Sequence, residues 1–378
     1  MGYIDHAVRR ALEHPHAASF AKRAVEKGHE IKVPAWGAAI VIVSFVLFVA
    51  FISAVEYTLK DVVATLAMIE TPSAAITVSP SGESAPKDVK EALLEDGPAI
   101  TLVHQKPLTS SIRATIRHVV SEAGKLARWR GYLAYFIYHF CFNLVANGLD
   151  SVMPRFPGRL VLVAGAAGAL TANLHAAWTH KVISMPHTTR FFRTIPARSN
   201  WKLLALPAAI NASAVYLSVY VAHISSMVLG LHGVHNDKLA EYSGAQWTFV
   251  VLRIVAVIAI AVSCALFIVL PAHVTQIRIE ASILPEEQDT IVPFDRTFSG
   301  KVVPQILGGT GAVGFLDAWR SFGWEARRRL VKLYAKIFFV VIALCLVAAH
   351  VLAFEVFAIM GPAVSKFLAQ AKQHGMAT

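Results

Sequence analysis

Residues 122–131 read Glu-Ala-Gly-Lys-Leu-Ala-Arg-Trp-Arg-Gly and stand directly before an aromatic, apolar run. A related stretch recurs at residues 314–321, Gly-Phe-Leu-Asp-Ala-Trp-Arg-Ser, where a glycine is again followed five residues later by Trp-Arg, just ahead of another apolar run. Two basic, glycine-bearing lead-ins to membrane-like segments predict a repeated membrane hairpin.

Composition agrees with that reading. The 378 residues are 56% apolar and only 16% charged, with a mean hydropathy of +0.54, far more apolar than a soluble domain of this size needs. An integral membrane protein is expected. Cys141, Cys264 and Cys345 all lie inside apolar runs and form neither a disulfide framework nor a zinc pattern, so they read as small core hydrophobes. The net charge of +11 sits in residues that flank apolar segments. It is therefore read as a topology signal and a contact with anionic lipid of the bilayer, with no nucleic acid as partner.

Residues 1–34 interleave Arg9, Arg10, Lys22, Arg23, Lys27 and Lys32 with apolar side chains and predict a basic amphipathic N-terminal helix interrupted near Pro15. Asp5, Glu13, Glu26 and Glu30 make this lead-in too acidic for a cleaved transit peptide, and Met1-Gly2 lacks the Ser or Thr at position 6 of a myristoylation signal. No cleaved targeting segment is expected here.

Six segments then approach the roughly 20 apolar residues that a bilayer crossing requires. They lie near 35–56, 131–149, 158–178, 203–230, 246–270 and 330–355. A long polar loop is expected at 57–110, its middle, 71–107, rich in Ser, Pro, Glu and Lys, and a C-terminal tail at 356–378. The exits of the odd segments resemble one another: Ser53-Ala-Val-Glu-Tyr-Thr-Leu-Lys60, Ala177-Trp-Thr-His-Lys-Val-Ile-Ser184 and Pro271-Ala-His-Val-Thr-Gln-Ile-Arg278. The predicted fold is all-α, six transmembrane helices in three pseudo-repeats spanning 35–150, 158–230 and 246–355, within one domain of residues 35–355.

In its repeated order the chain resembles the mitochondrial carrier family. That family closes each odd helix with Pro-x-acidic-x-x-basic-x-Arg and opens the next with Glu-Gly, four residues, an aromatic, a basic residue and Gly. Pro271, His273, Gln276 and Arg278 stand at the places of the first motif, Gly124, Trp129, Arg130 and Gly131 at those of the second, and Trp319 and Arg320 repeat the second with Ser321 for the glycine. Gly165 and Gly168 look like the small-residue packing face of an odd carrier helix. The chain is also similar to fungal multi-span membrane proteins labelled ubiquitin carriers, a role that its membrane-buried cysteines do not support.

What the carrier resemblance implies is shaped by its departures. In the family the acidic and basic members of the exit motifs pair into a ring that opens and closes a cavity. Here the acidic places hold Val55, Thr179 and His273 and the basic places Thr58, Val182 and Gln276, so no complete ion pair is expected among them. The second gate, aromatic-acidic-x-x-basic on even helices, is missing where the fourth segment reads Tyr220-Val-Ala-His-Ile224. The implied function is a degenerate carrier fold acting as a binding, scaffolding or insertion platform in a mitochondrial membrane, inner or outer, with protein partners on the basic loop face. The alternative is a divergent carrier of a small anionic solute.

Several polar side chains inside apolar runs are candidates for the cavity. Tyr138, His139 and Asn143 lie on the second segment, the last two one helical turn apart; they either line a cavity or hydrogen-bond between helices. Arg328, Lys332 and Lys336 follow one face of the sixth segment. If that helix begins near Phe322 they line a cavity and attract an anion; if it begins near Leu330 they snorkel to the interface. His175 with His180, and His232 with His235 beside Asp237, lack a clustered second pair, so neither metal nor haem is expected, and no cofactor. No nucleophile or acid-base pair points to an enzyme.

Most of the 35 lysines and arginines fall in the loops after the first, third and fifth segments, which puts those loops on one side and both termini on the other. Tags at residues 1 and 378 on sealed vesicles should therefore be digested from the same face. Digestion from opposite faces would rule out an even number of spans.

Overall fold

A computed structural model describes residues 35–71, 74–78, 100–104, 106–186, 195–233, 242–303 and 307–375; the amphipathic helix expected over 1–34 lies outside these. The chain divides into two compact units, residues 54–340, and residues 1–53 together with 341–378. Long helices account for nearly all of it: α1 (Ala35–Ile69), α2 (Ile112–Ala123), α3 (Tyr132–Val152), α4 (Arg159–Leu170), α5 (Ala172–Ile183), α6 (Trp201–Val228), α7 (Gly244–Ser282), α8 (Phe315–Arg320) and α9 (Trp324–Gly375). One antiparallel strand pair, β1 (Ala74–Val78) with β2 (Ile100–His104), interrupts the helices, with Ile76 opposite Leu102.

Among the described residues four helices are long and apolar enough to cross a membrane, Ala35–Ile69, Arg198–Val228, Gly244–Ser282 and Trp324–Ile359. Their large apolar side chains, such as Phe45, Leu47, Val219, Phe249, Phe338 and Phe339, face outward, as a lipid solvent requires. This is the helical architecture of an integral membrane protein. The other two expected segments are helical but differ from a simple span. The third is broken at Thr171, where α4 and α5 meet at 64°. The second, α3, runs 21 residues but is not among the four, because Tyr132, Tyr135, Tyr138, His139, Asn143, Asn147 and Asp150 dilute its hydropathy.

Two expected boundaries move. The polar loop predicted from residue 57 starts instead as helix, α1 continuing through a π-helical stretch at Tyr57–Val63 to Ile69. Lys60 and Asp61 make this stretch look polar, yet Tyr57, Leu59, Val62, Val63, Leu66, Met68 and Ile69 are buried core. The tail predicted at 356–378 is likewise helical as far as Gly375, since nothing in the sequence after Ile359 caps α9 and Pro362 does not end it. In the unit made of residues 1–53 and 341–378, Ser44 Oγ donates to the Glu355 carboxylate at 2.9 Å, giving one acidic side chain of an apolar helix a hydrogen-bond partner.

Within residues 54–340 the core brings α5, α6, α7 and α8 together, through Ala172, Ala176, Leu204, Ala208, Ile279 and Ala318, with Phe298 and Val313 from the segments that follow α7. Small residues set the closest approach. A Cβ at Gly168 would stand 2.7 Å from the Ala208 carbonyl oxygen and 2.8 Å from Ala212 Cβ, and one at Gly165 would stand 2.4 Å from Ser213 Oγ. That serine donates to the Val161 carbonyl at 3.0 Å, a hydrogen bond between α6 and α4 that is reachable only at this separation. Gly168→Leu should lower stability in detergent by about 1–3 kcal/mol through overpacking. An unchanged thermal midpoint would contradict the close approach of α4 to α6.

Candidate functional site

The most demanding group in the interior is Glu280, on the last turn of α7 and fully buried. Its carboxylate faces α5, where His175 Nδ1 lies 2.7 Å from Oε1 and Thr179 Oγ1 donates to Oε2. One turn back on α7, the Gln276 amide donates to Oε1 at 2.8 Å, and the Glu280 carbonyl is met by His180 Nε2 at 2.7 Å. A buried carboxylate without partners is very costly, and this one is surrounded by donors from two helices. The result is a polar joint between α5 and α7.

Two arginines tie down the ends of the odd helices. The last carbonyls of a helix have no partner within it and carry the negative end of its dipole, so a buried guanidinium is well placed there. Arg130 donates to the Lys181 carbonyl at 2.9 Å and to that of Ser184, at the C-terminus of α5. Burial lowers its guanidinium to about 10, with Tyr57 acting in the opposite sense, and it remains a cation at neutral pH. Arg278 does the same for α1, donating to the Met68 carbonyl at 3.0 Å, and also to the Ala318 carbonyl and Ser321 Oγ. Its guanidinium lies over Phe298 and Phe322, 4.9 and 5.4 Å from the ring centroids.

The lead-in motif explains how Arg130 reaches its place. Gly124 ends α2 at φ +85° and Gly131 opens α3 at φ +76°, left-handed conformations that favour glycine. A Cβ on Gly131 would also press against Val182, Trp178 and Tyr57. Trp129 is exposed between them. The second copy works differently. Trp319 packs under Arg327, 4.0 Å from its ring, while Arg320 is exposed and caps nothing among the described residues. With Ser321 in place of glycine at φ −71°, the chain does not make the left-handed turn of Gly131.

Of the cavity candidates on α3, Tyr138 and His139 do meet. Their rings are 4.9 Å apart, and Tyr138 is also 4.9 Å from His175, which links α3 to the Glu280 joint. Tyr135 adds an edge contact to His139 at 4.1 Å. Asn143 does not join them. It is exposed and its amide donates to the His139 carbonyl of its own helix, because the i, i+4 spacing satisfies it locally.

Arg328, Lys332 and Lys336 all belong to α9, which begins at Trp324, close to Phe322, the earlier of the two starts that the sequence leaves open. They line one cavity of about 360 Å³ with Arg329, Glu325, Thr109 and Ser110. Arg329 is spoken for by Glu70, 3.5 Å away, whose carboxylate also accepts from the Leu108 and Thr109 amides and the Thr109 hydroxyl. The other three basic groups form no ion pair among the described residues. Nearby, Ser111 stands at the N-cap of α2 without a side-chain cap, and the first turn of α2 has no acidic residue. The site is suited to an anion. A second cavity of about 350 Å³ is lined by Phe156, Leu160, Tyr216, Tyr220 and His223, which puts the fourth-segment stretch Tyr220 to His223 on an apolar wall.

At the six gate places no ion pair forms. Thr58 bonds the Ala54 carbonyl of its own helix, Val182 is buried, and His273 lies 3.4 Å from Asn211. Thr179 and Gln276 instead converge on Glu280, a residue that sequence reasoning passed over although it stands one helical turn after Gln276. In the sequence His175 reads only as a candidate metal ligand, and its pairing with Glu280 across 105 positions has no local signal. No family model and no curated protein matches this chain.

Phe298 reaches Arg278 from a turn in which Phe298, Ser299 and Gly300 all have positive φ. Asp295 braces that turn, accepting from the Thr297 amide and hydroxyl at 2.9 and 2.6 Å and from the Ser299 amide at 2.8 Å. Desolvation acts to raise its carboxyl, but these hydrogen bonds and the Arg278 charge outweigh it and hold it below the ordinary carboxylate range. A depressed value means stabilisation present above the unfolded value, about 3.9, and lost as pH falls through the folded one. Asp295→Ala should therefore lower thermal stability at neutral pH, the gap to the unmodified protein closing on acidification below about pH 4. A gap independent of pH would contradict the role given to the carboxylate.

Proposed function

We propose that this chain is a carrier-like six-span platform, three helical hairpins in pseudo-repeat, that binds or scaffolds partners in a mitochondrial membrane without the alternating cycle of a transporter. The observation that carries the reading is the Glu280 joint. A cycling carrier needs charged pairs that part at modest cost, whereas parting α5 from α7 would strip a fully buried carboxylate of donors from His175 and Thr179 at once. The arginine caps on α1 and α5 argue the same way, since each would lose buried hydrogen bonds if these helix ends moved apart. The basic loops offer a face for anionic lipid and for acidic protein partners.

A second reading, a divergent carrier of a small anion, is favoured by one feature, the cavity beside Arg328, Lys332 and Lys336. Three cations without ion-pair partners lining one cavity would attract an anion. Purified protein in liposomes should show no saturable, counter-substrate-dependent uptake of nucleotides, carboxylates or phosphate above empty vesicles, while still binding vesicles that contain anionic lipid. Replacing Arg328, Lys332 and Lys336 together by Gln should weaken that binding and leave the fold intact. Robust exchange that the triple replacement abolishes would overturn the platform and establish the carrier.

A further inference from the structure

We propose that the cavity on α9 binds the terminal phosphate of a phosphomonoester, held by Arg328, Arg329, Lys332 and Lys336. The inference rests on the reading of that cavity as an anion site and deepens it, since it names the anion and needs no transport cycle.

Unmet donors lead to it. Arg329 lines the cavity with its side chain only 16% exposed, and its Nε and Nη2 are buried without a hydrogen bond among the described residues. Glu70 balances its charge from 3.5 Å but has little left to offer, because that carboxylate already accepts from the Leu108 and Thr109 amides and the Thr109 hydroxyl. Buried guanidinium nitrogens without acceptors are costly. Nε and Nη2 form one edge of the planar guanidinium, the edge from which two oxygens of a single phosphate accept side by side.

Charge narrows the class further. Among the described residues around the cavity, four bases stand with two carboxylates, Glu325 and Glu70, which leaves a surplus of two positive charges. A carboxylate or a phosphodiester brings a single negative charge. A phosphomonoester brings about −1.5 to −2 near neutral pH and three strong acceptor oxygens, enough to meet the Arg329 edge with two and a neighbouring cation with the third.

The cavity also has room for more than a bare ion. Its volume of about 360 Å³ lies at the small end of ligand pockets, which run from about 300 to 1,000 Å³, so a phosphate with a small polar body fits. Ser110 and Glu325 on its walls offer partners to hydroxyl groups of that body. Lys336 stands directly before Ile337-Phe-Phe-Val340, where Phe338 and Phe339 face outward. The cavity therefore lies at the edge of an apolar stretch, within reach both of a soluble ester and of a lipid whose headgroup ends in a phosphomonoester.

Glycerol 3-phosphate and short-chain phosphatidic acid are the monoester probes, with glycerophosphoglycerol and the matching phosphatidylglycerol as diester controls. Each is titrated against the unmodified protein in uncharged detergent at constant ionic strength. The monoesters should raise the thermal midpoint with saturation and the diesters should not. Equal affinity for the two monoesters assigns a soluble ligand, and tighter binding of phosphatidic acid assigns a lipid headgroup. Lys332→Gln with Lys336→Gln changes two exposed side chains and should weaken monoester binding by roughly ten- to hundredfold. Arg329→Lys keeps the charge, removes the planar edge and should weaken it likewise; if that variant does not fold, the lysine pair decides. No saturable shift with either monoester, an equal shift with the diesters, or monoester binding unchanged in the lysine pair would overturn the proposal. Those results would leave the platform standing, whereas saturable uptake of the same ester into liposomes would overturn the platform and leave the phosphate site in place.

Discussion

A carboxylate shut away from water has to be answered by donors, and Glu280 is answered from two helices at once. That requirement fixes the rotation of α5, which must present His175, Thr179 and His180 to α7, and the rotation of α7, which must present Gln276 alongside Glu280. A hydrophobic contact tolerates sliding because burial has no direction; a set of hydrogen bonds with defined donors does not. The apolar surroundings supplied by Ala172, Ala176 and Ile279 make the same bonds stronger and their loss more costly.

The arginines extend this constraint to helix ends. Arg130, from the lead-in to α3, and Arg278, from α7, cap the C-termini of α5 and α1 respectively, so four elements remote in sequence are tied in two pairs at their polar ends. Both sit where an unpaired helix dipole would otherwise meet the protein interior. The basic cavity on α9 is of another kind. Three of its cations are exposed and without ion pairs among the described residues, and this surplus is what makes it a place for a ligand where the Glu280 joint is a place for structure.

Much of the architecture was legible because lipid solvation writes a simple code. Continuous apolar runs marked α1, α6, α7 and α9, and the glycines of the Gly-Trp-Arg lead-in marked where the backbone turns left-handed ahead of α3. What escaped was whatever depended on partners distant in sequence. The stretch after Tyr57 carries Lys60 and Asp61 and reads as loop, yet its other face is core, a fact that only the neighbouring helices create. Glu280 reads as an ordinary acid near a helix end. Asn143 shares a helical face with His139, a spacing that points to the cavity, whereas the same spacing lets it bond its own backbone. Arg320 matched Arg130 by motif and not by role, since no left-handed turn follows it.

The account stands or falls on whether α5 and α7 stay joined. Spin labels at Lys181 and Glu286, read by pulsed electron resonance in lipid bilayers with and without candidate anions, report that separation directly. The account predicts a single narrow distance distribution that anions leave unchanged. A second population, growing as an anion is added, would mean that the joint opens and would contradict it.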